Sequence, residues 1–426
     1  MKFTLKNVGK IKNAEIELQG ISVVAGENNT GKSTIGKMLF SVFDSFYKIN
    51  EQTDNERRQN ITRLIYGFYR EQSDWISRTI DRPDFSQRCI KERGYFIADP
   101  KRLENELRKF YMQLDSAFAR KLSDEDIEKL ASRVYASLRI EDAEIRSVLL
   151  KKRLRAEFGM KIGHLNAQDE LSEICLEVKR SKIEFTVRRN SDIEIKNYMN
   201  LVKEISYIDD PFVLDELNAD WAAIWALSDE YDHRNNLLKK LIGNNKESAV
   251  DAIEEVLVQR KLNSIFDSMS SVCDGDIFSS EKGRSYVYRT QGLKGDLEIA
   301  NLSTGIKSFV ILRTLLKNGS IDDNGIIVMD EPEIHLHPEW QLRFAEIIVL
   351  IQKEFDTNIL LNTHSPYFLN AIQVYSKKYG IADKCKYYMT KENDGKVELL
   401  DVTNHTESIY AKLAAPLQEL ENLEYC

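Results

Sequence analysis

Gly26-Glu27-Asn28-Asn29-Thr30-Gly31-Lys32-Ser33-Thr34 is the stretch from which the rest of the chain is read. It fills the pattern G-x-x-x-x-G-K-[ST] at every defined position. An apolar strand-like run, Ile21–Ala25, precedes it, and an apolar helix-like segment over 33 to about 46 follows. Glycines let consecutive backbone N–H groups turn toward one anion, and the start of a helix adds its positive end. In such a loop Lys32 brings a point charge to the β- and γ-phosphates, and the Ser33 hydroxyl ligates Mg²⁺. Gly26, Asn28, Asn29, Thr30, Gly31, Lys32, Ser33 and Thr34 are therefore the expected phosphate-binding residues. The alternative is a chance match in an ordinary Gly turn, and the flanking strand and helix weigh against it. Alone, the loop specifies a nucleotide site and no particular enzyme.

Outward from the loop, composition sets the limits. The 426 residues suffice for one large domain or two to three ordinary ones, and 42% hydrophobic with 30% charged residues is a globular balance. Seven Pro and 19 Gly are few, so long helices are expected. No apolar run approaches the ~18–20 residues that span a bilayer. The first 20 residues alternate charge with apolar side chains, unlike a signal peptide. A cytoplasmic chain without a membrane partner is the expectation. The cysteines (89, 175, 273, 385, 426) lie far apart with no CxxC pair, which fits a reducing compartment and shows no zinc site. The net charge of −8 leaves nucleic-acid contact to local basic patches.

Strand patterns open the chain, at Lys2-Phe3-Thr4-Leu5-Lys6 and Ala14-Glu15-Ile16-Glu17-Leu18. From about 50 to 170 charged residues carry Leu, Ile and Tyr at helical spacing, without a heptad repeat that would make a coiled-coil arm. Strands return at 174–178, 183–187 and 204–208, the last stopping at Asp209-Asp210-Pro211. A second helical block covers about 213–269, and a hairpin-like stretch 285–299. The C-terminal third alternates apolar strands with amphipathic helices, which argues for a parallel sheet covered by helices. Asn393-Asp394-Gly395 is a hairpin turn. A helix with Ile409, Leu413, Leu417 and Leu420 in register follows, with a kink expected at Pro416. The expected organisation is 1–50 and 171–212 as parts of one α/β head, 51–170 and 213–284 as helical material, and 285–426 as the rest of the head.

The apolar run over 325–329 ends in Asp330-Glu331-Pro332-Glu333. A carboxylate at a strand end can hold Mg²⁺, and a second beside it can take a proton from an attacking water. Asp330 is read as the metal residue and Glu331 as the general base; a solvated acidic turn is the bland alternative. The next apolar strand delivers Asn362-Thr363-His364-Ser365-Pro366, where His364 can reach the γ-phosphate and order the water. Upstream, Asn301-Leu302-Ser303-Thr304-Gly305 opens an apolar helix, so Ser303 and the Gly305 backbone make a second anion site at a helix N-terminus, or a simple cap. The phosphate loop lies about 270 residues before Ser303. RecA-like and AAA-type folds place the acidic strand much closer behind the loop, so their order does not fit, and the GTPase motif Asn-Lys-x-Asp is absent. Reading Asp330, Glu331, Glu333, His335 and His337 as a separate metal cluster is opposed by their alternation along the chain.

With these residues in view, the chain resembles the ABC-class ATPase heads of the SMC, Rad50, RecF and OLD proteins over about 1–45 and 285–426. Ser303 and Gly305 match the LSGGQ signature at its Ser and second Gly; Thr304 and Ile306 depart from it. Glu331-Pro332-Glu333-Ile334-His335-Leu336-His337-Pro338 is similar to the E-P-E-x-H-L-H-P stretch of the OLD-like group, most of all to the compact ATPases of anti-phage systems such as Septu, PARIS and some retrons. The resemblance implies an α/β ABC-type P-loop NTPase head, a mixed or parallel sheet with flanking helices and helical insertions. It further implies ATP and Mg²⁺ as ligands, with Lys32, Glu331 and His364 catalytic and Ser33 and Asp330 on the metal. Two heads would sandwich ATP, each offering Ser303 and Gly305 to the other. The nearest counterpart of the family's glutamine loop is Asp209-Asp210.

OLD nucleases carry a Toprim domain after the ATPase. Only about 60 residues follow His364, with no DxD cluster among them. A separate effector, an HNH or Toprim nuclease or a toxin, is then expected to do the cutting or killing, with this chain as its regulatory ATPase. A RecF- or Rad50-like repair ATPase that binds DNA through basic runs (Arg57-Arg58, Lys101-Arg102, 151–155, Lys179-Arg180, Arg188-Arg189) is the second reading. A scaffold that holds ATP with little turnover is the third.

Overall fold

The computed structural model describes residues 1–72, 84–159, 161–163, 171–189, 192–217, 232–243, 252–280, 285–290, 292 and 294–424. Parts of the second helical block (218–231 and 244–251), the tip of the 285–299 stretch and Cys426 lie outside these. The chain forms two compact units, residues 1–47 with 150–426, and residues 48–149.

In the larger unit the strands are β1 (Lys2–Val8), β2 (Ile11–Glu17), β3 (Ile21–Ala25), β4 (Ser172–Val178), β5 (Ser181–Arg188), β6 (Asp192–Asn197), β7 (Ile205–Ile208), β8 (Asp276–Ser279), β9 (Tyr286–Arg289), β10 (Leu297–Glu298), β11 (Ile326–Asp330), β12 (Asn358–Thr363), β13 (Cys385–Asn393) and β14 (Lys396–Asp401). Eleven of them form one mixed sheet in the order β6-β5-β4-β1-β2-β14-β13-β3-β12-β11-β7, and β10-β9-β8 make a small antiparallel sheet. The half from β6 to β2 is antiparallel. The half running β13-β3-β12-β11-β7 is parallel. β14 joins the halves, antiparallel to β13 and parallel to β2.

The sequence dictates this division. Every residue of β3, β7 and β11 is buried, as continuous apolar strands are when helices cover both faces of a parallel sheet. β2 instead alternates buried and exposed positions, the signature of a sheet with one wet face. The β13–β14 turn has positive φ at Asp394 (51°) and Gly395 (73°), the pair of left-handed residues that a tight hairpin of matching twist demands. β6 was not foreseen. Its alternating Ile193 and Ile195 are only half-buried, because it forms an edge of the sheet.

Helices Lys32–Phe46, Thr304–Lys317, Pro338–Phe355 and Pro366–Lys378 each bury an apolar face, and the last three contribute to one core with β3, β11 and β12. Helix Glu407–Glu424 includes Pro416. The smaller unit consists of helices around Ile61, Ile65, Phe96, Leu103, Leu107, Tyr111, Val134 and Leu138. Its helix Asp124–Arg139 starts in a capping box between Ser123 and Asp126, a device worth about 1 kcal/mol. Among the described residues no helix is long and apolar enough to cross a membrane.

Candidate functional site

Parallel strands put their C-terminal ends on one edge, which is where open α/β sheets bind ligands. Here β12 lies between β3 and β11, with Asp330 level with Asn362 and Ala25 level with Thr363. Residues from three distant parts of the sequence therefore meet at that edge.

The loop after β3 turns through left-handed Asn29 (φ 63°) and Gly31 (φ 84°) into helix Lys32–Phe46. Gly26 allows a close approach, since a Cβ there would stand 1.9 Å from the Thr390 hydroxyl. That hydroxyl donates to Thr30 Oγ1 (3.0 Å), which donates to the Glu27 carbonyl (2.8 Å). Lys32 is only 4% exposed. Its ammonium donates to the Gly26 and Glu27 carbonyls (3.0 and 2.8 Å) and lies 3.4 Å from Glu331 Oε1. Asn28, Asn29 and Ser33 are exposed.

The two adjacent carboxylates have different surroundings. Asp330 is buried and accepts from two neutral donors, Tyr207 Oη at Oδ2 and Asn362 Nδ2 at Oδ1, each at 2.9 Å. Glu331 sits in the left-handed region (φ 50°), with its N–H donating to the Asn362 carbonyl at 2.9 Å. For a non-glycine residue that backbone is costly, and such strain gathers at functional sites. Its Oε1 faces Lys32 and, at 3.3 Å, His364 Nδ1, without hydrogen-bond geometry at the imidazole. The sequence-predicted Lys32, Asp330, Glu331 and His364 thus come together. The donors fit the groups expected of them. Lys32 and the loop N–H groups suit a polyphosphate, and Asp330, whose two hydrogen-bond donors are uncharged, suits a divalent cation with Ser33.

The remaining members of the acidic stretch go elsewhere. Glu333 turns inward, where the Thr363 hydroxyl and the His364 N–H donate to it and burial raises its pKa above the usual carboxylate value. The His335 ring meets Phe212 edge-on, and His337 caps helix Pro338–Phe355. The separate metal cluster is not assembled.

Ser303 and Gly305 lie at the N-terminus of helix Thr304–Lys317. Ser303 is exposed at the N-cap of helix Thr304–Lys317, yet its hydroxyl makes no capping bond, so the simple-cap reading fails. Gly305 is buried; a Cβ there would lie 2.9 Å from Trp340 Cζ3 and 3.3 Å from the His335 carbonyl. Gly305→Ala is therefore expected to lower the melting temperature, by about 1–3 kcal/mol of stability, as an overpacked core does. Thermal denaturation would show it, and an unchanged melting curve would contradict the packing role.

Asp209 and Asp210 are each engaged by a basic side chain. Asp209 accepts from His233 Nε2 (2.9 Å), whose Nδ1 reaches Glu157 (2.8 Å), and Asp210 pairs with Arg234 (3.0 Å). Burial pushes the His233 pKa down, but hydrogen bonds to Asp209 and Glu157 outweigh it and raise it to about 9. A raised folded pKa stabilises fully below the unfolded value of about 6.5, and the stabilisation is lost as pH rises through about 9. The melting temperature should therefore fall between pH 7 and pH 9.5. His233→Gln should flatten that slope; a variant with the wild-type slope would refute the assignment.

Several basic residues singled out in the sequence are used within the fold. Arg57 pairs with Asp142, Arg58 with Asp84 and Arg153 with Asp44. Sequence reasoning missed Tyr207 and Asn362. The available signal was a hydrogen-bonding side chain near the C-terminal end of each of the two strands flanking Asp330.

A family model described as an AAA ATPase domain, AAA_15, matches residues 1–369, which include the phosphate loop, Ser303, Asp330, Glu331 and His364. The Septu protein PtuA of Bacillus thuringiensis is 29% identical over 134 residues, 28% of this chain and 33% of that protein. The Retron Ec83 probable ATPase of Escherichia coli is 31% identical over 191 residues, 36% of this chain and 34% of that protein. The chain thus spans about a third of the length of these curated relatives. The SMC head domain of Thermotoga maritima aligns over 94% of this chain and 98% of its own, at 12% identity and a TM-score of 0.36. The chain belongs to the AAA_15 family of AAA ATPase domains.

Proposed function

We propose that this chain hydrolyses ATP at the edge formed by β3, β11 and β12, in a site completed by Ser303 and Gly305 of a second copy. The observation that carries the reading is the division of charge there. The Lys32 ammonium lies at the phosphate loop 3.4 Å from Glu331, Asp330 accepts from the uncharged Tyr207 and Asn362, and Glu331 stands beside His364. Bound Mg²⁺ would neutralise charge on the phosphate oxygens. Lys32 orients the γ-phosphate, and His364 helps hold the attacking water. Glu331 takes a proton as the water oxygen bonds to the γ-phosphorus and the bond to the β–γ bridging oxygen breaks, which leaves ADP and phosphate.

Supporting a site shared between copies, the Ser303 hydroxyl is exposed and unspent at a helix N-terminus whose positive end suits an anion. On this reading 51–170 is a helical insertion in the head, and 213–284 is a second, mainly helical block that also carries strand β8. Similarity to PtuA and to a retron ATPase supports a place in an anti-phage complex, with this chain as the ATPase that controls a separate effector. Specific ATPase activity should then rise with protein concentration before reaching a plateau. A specific activity independent of concentration from nanomolar to micromolar protein, in a chain shown to be monomeric throughout, would overturn the shared site.

A further inference from the structure

Asp330 belongs to a buried polar cluster whose other members have no role in the hydrolysis just described. Its Oδ2 accepts from Tyr207 and its Oδ1 from Asn362, so both oxygens are oriented by donors without charge. A cationic partner would cancel the carboxylate; a phenol and an amide fix its direction and leave the charge in place.

Each donor is held in turn. The Asn362 amide nitrogen also donates to the Lys32 carbonyl (3.1 Å), which ties the start of the phosphate-loop helix to the end of β11. Both of its acceptors are oxygens that cannot donate, so the amide's orientation is determined by its neighbours. That leaves Asn362 Oδ1 buried and without a hydrogen-bond partner. Tyr207 is fully buried, and its ring is gripped from two sides. Gly36 of the loop helix leaves room for it, since a Cβ there would stand 3.0 Å from Tyr207 Cε2. His233, fixed between Glu157 and Asp209, lies against the ring with centroids 4.6 Å apart. A phenol is an O–H donor at neutral pH, so its hydroxyl donates to the carboxylate.

We propose that Tyr207 and Asn362 are positioning residues for the divalent cation: they aim the Asp330 carboxylate at the metal that accompanies the nucleotide. The proposal rests on the ATP site described above. It assigns to the strand before Asp209-Asp210, and to the residue two positions before His364, a part in metal affinity rather than in phosphate binding. Losing either donor frees the carboxylate to rotate, and loss of such outer partners costs about 10–100-fold in metal affinity.

The test is a Mg²⁺ titration of fluorescent ATP-analogue binding to the full chain, first in EDTA and then with added metal. Wild type, Tyr207→Phe and Asn362→Ser are compared, each with a melting curve. Tyr207→Phe keeps the ring and removes only the donor; Asn362→Ser keeps a small polar group and loses the bridge. The expected result is half-saturating Mg²⁺ raised about tenfold or more in both variants, with metal-free nucleotide affinity close to wild type in Tyr207→Phe. Unchanged half-saturating Mg²⁺ in folded Tyr207→Phe would overturn the proposal, whatever Asn362→Ser does. Equal weakening of nucleotide binding in EDTA and in Mg²⁺ would also overturn it, by showing a structural role only. If wild type itself bound the analogue no better with Mg²⁺, the metal site at Asp330 would be wrong. If it did not bind the analogue at all, the ATP reading would be wrong.

Discussion

Replacing Glu331 with glutamine is expected to slow steady-state ATP hydrolysis by about 10²–10⁴-fold, the usual contribution of a positioned general base. ATP binding should survive, for a geometric reason. Glu331 Oε1 lies 3.4 Å from the Lys32 ammonium and 3.3 Å from His364 Nδ1. Glutamine keeps the shape but removes the negative charge that competes with the γ-phosphate for Lys32. Affinity should therefore stay equal or increase while turnover collapses. A phosphate-release assay beside a fluorescent-nucleotide titration separates the two quantities. Turnover within about threefold of wild type would be well short of a base's contribution and would remove Glu331 from that role.

Lys32→Ala should fail at the earlier step. Its ammonium is nearly buried, and its protein contacts are two loop carbonyls and the Glu331 carboxylate. Removing one member of a buried, hydrogen-bonded charge pair costs about 2–5 kcal/mol, or roughly 30- to several-thousand-fold in affinity. ATP should no longer saturate the variant at millimolar concentration, and hydrolysis should be lost with it. The contrast is the informative part: Glu331→Gln binds without turning over, whereas Lys32→Ala does not bind. Equal ATP affinity in Lys32→Ala and wild type would show that Gly26–Thr34 is an ordinary turn.

The local pattern carried the sequence reading wherever it matched what burial enforces. Largely apolar runs at 21–25, 325–329 and 358–361 became the central parallel strands, and Asp394-Gly395 the tight hairpin. The order of β14 between β2 and β13 was not legible, because it depends on which strands meet across nearly 400 residues. β6 escaped notice because an edge strand needs only weak alternation. Within the site, Lys32, Asp330, Glu331 and His364 could be named from spacing, since each stands at the end of an apolar strand or loop. Asn362 and Tyr207 could not. Their polar atoms are buried, and only the register of Asn362 against Asp330, together with the fit of Tyr207 over Gly36, gives them work. Gly305 shows the opposite limit. A glycine chosen for its place in a signature is also demanded by Trp340, so losing it perturbs packing and function together. Ser303, exposed and not engaged as a cap, is the cleaner probe of that segment.

The central claim is that ATP brings two copies of this chain together around sites that neither completes alone. The most direct test is the mass in solution of the Glu331→Gln protein, measured by light scattering with and without ATP and Mg²⁺. The account predicts twice the mass of one chain with ATP, the mass of one chain without it, and loss of the ATP-induced form when Ser303 is replaced by Arg. A protein that binds ATP to saturation yet keeps the same mass with and without it would contradict the claim.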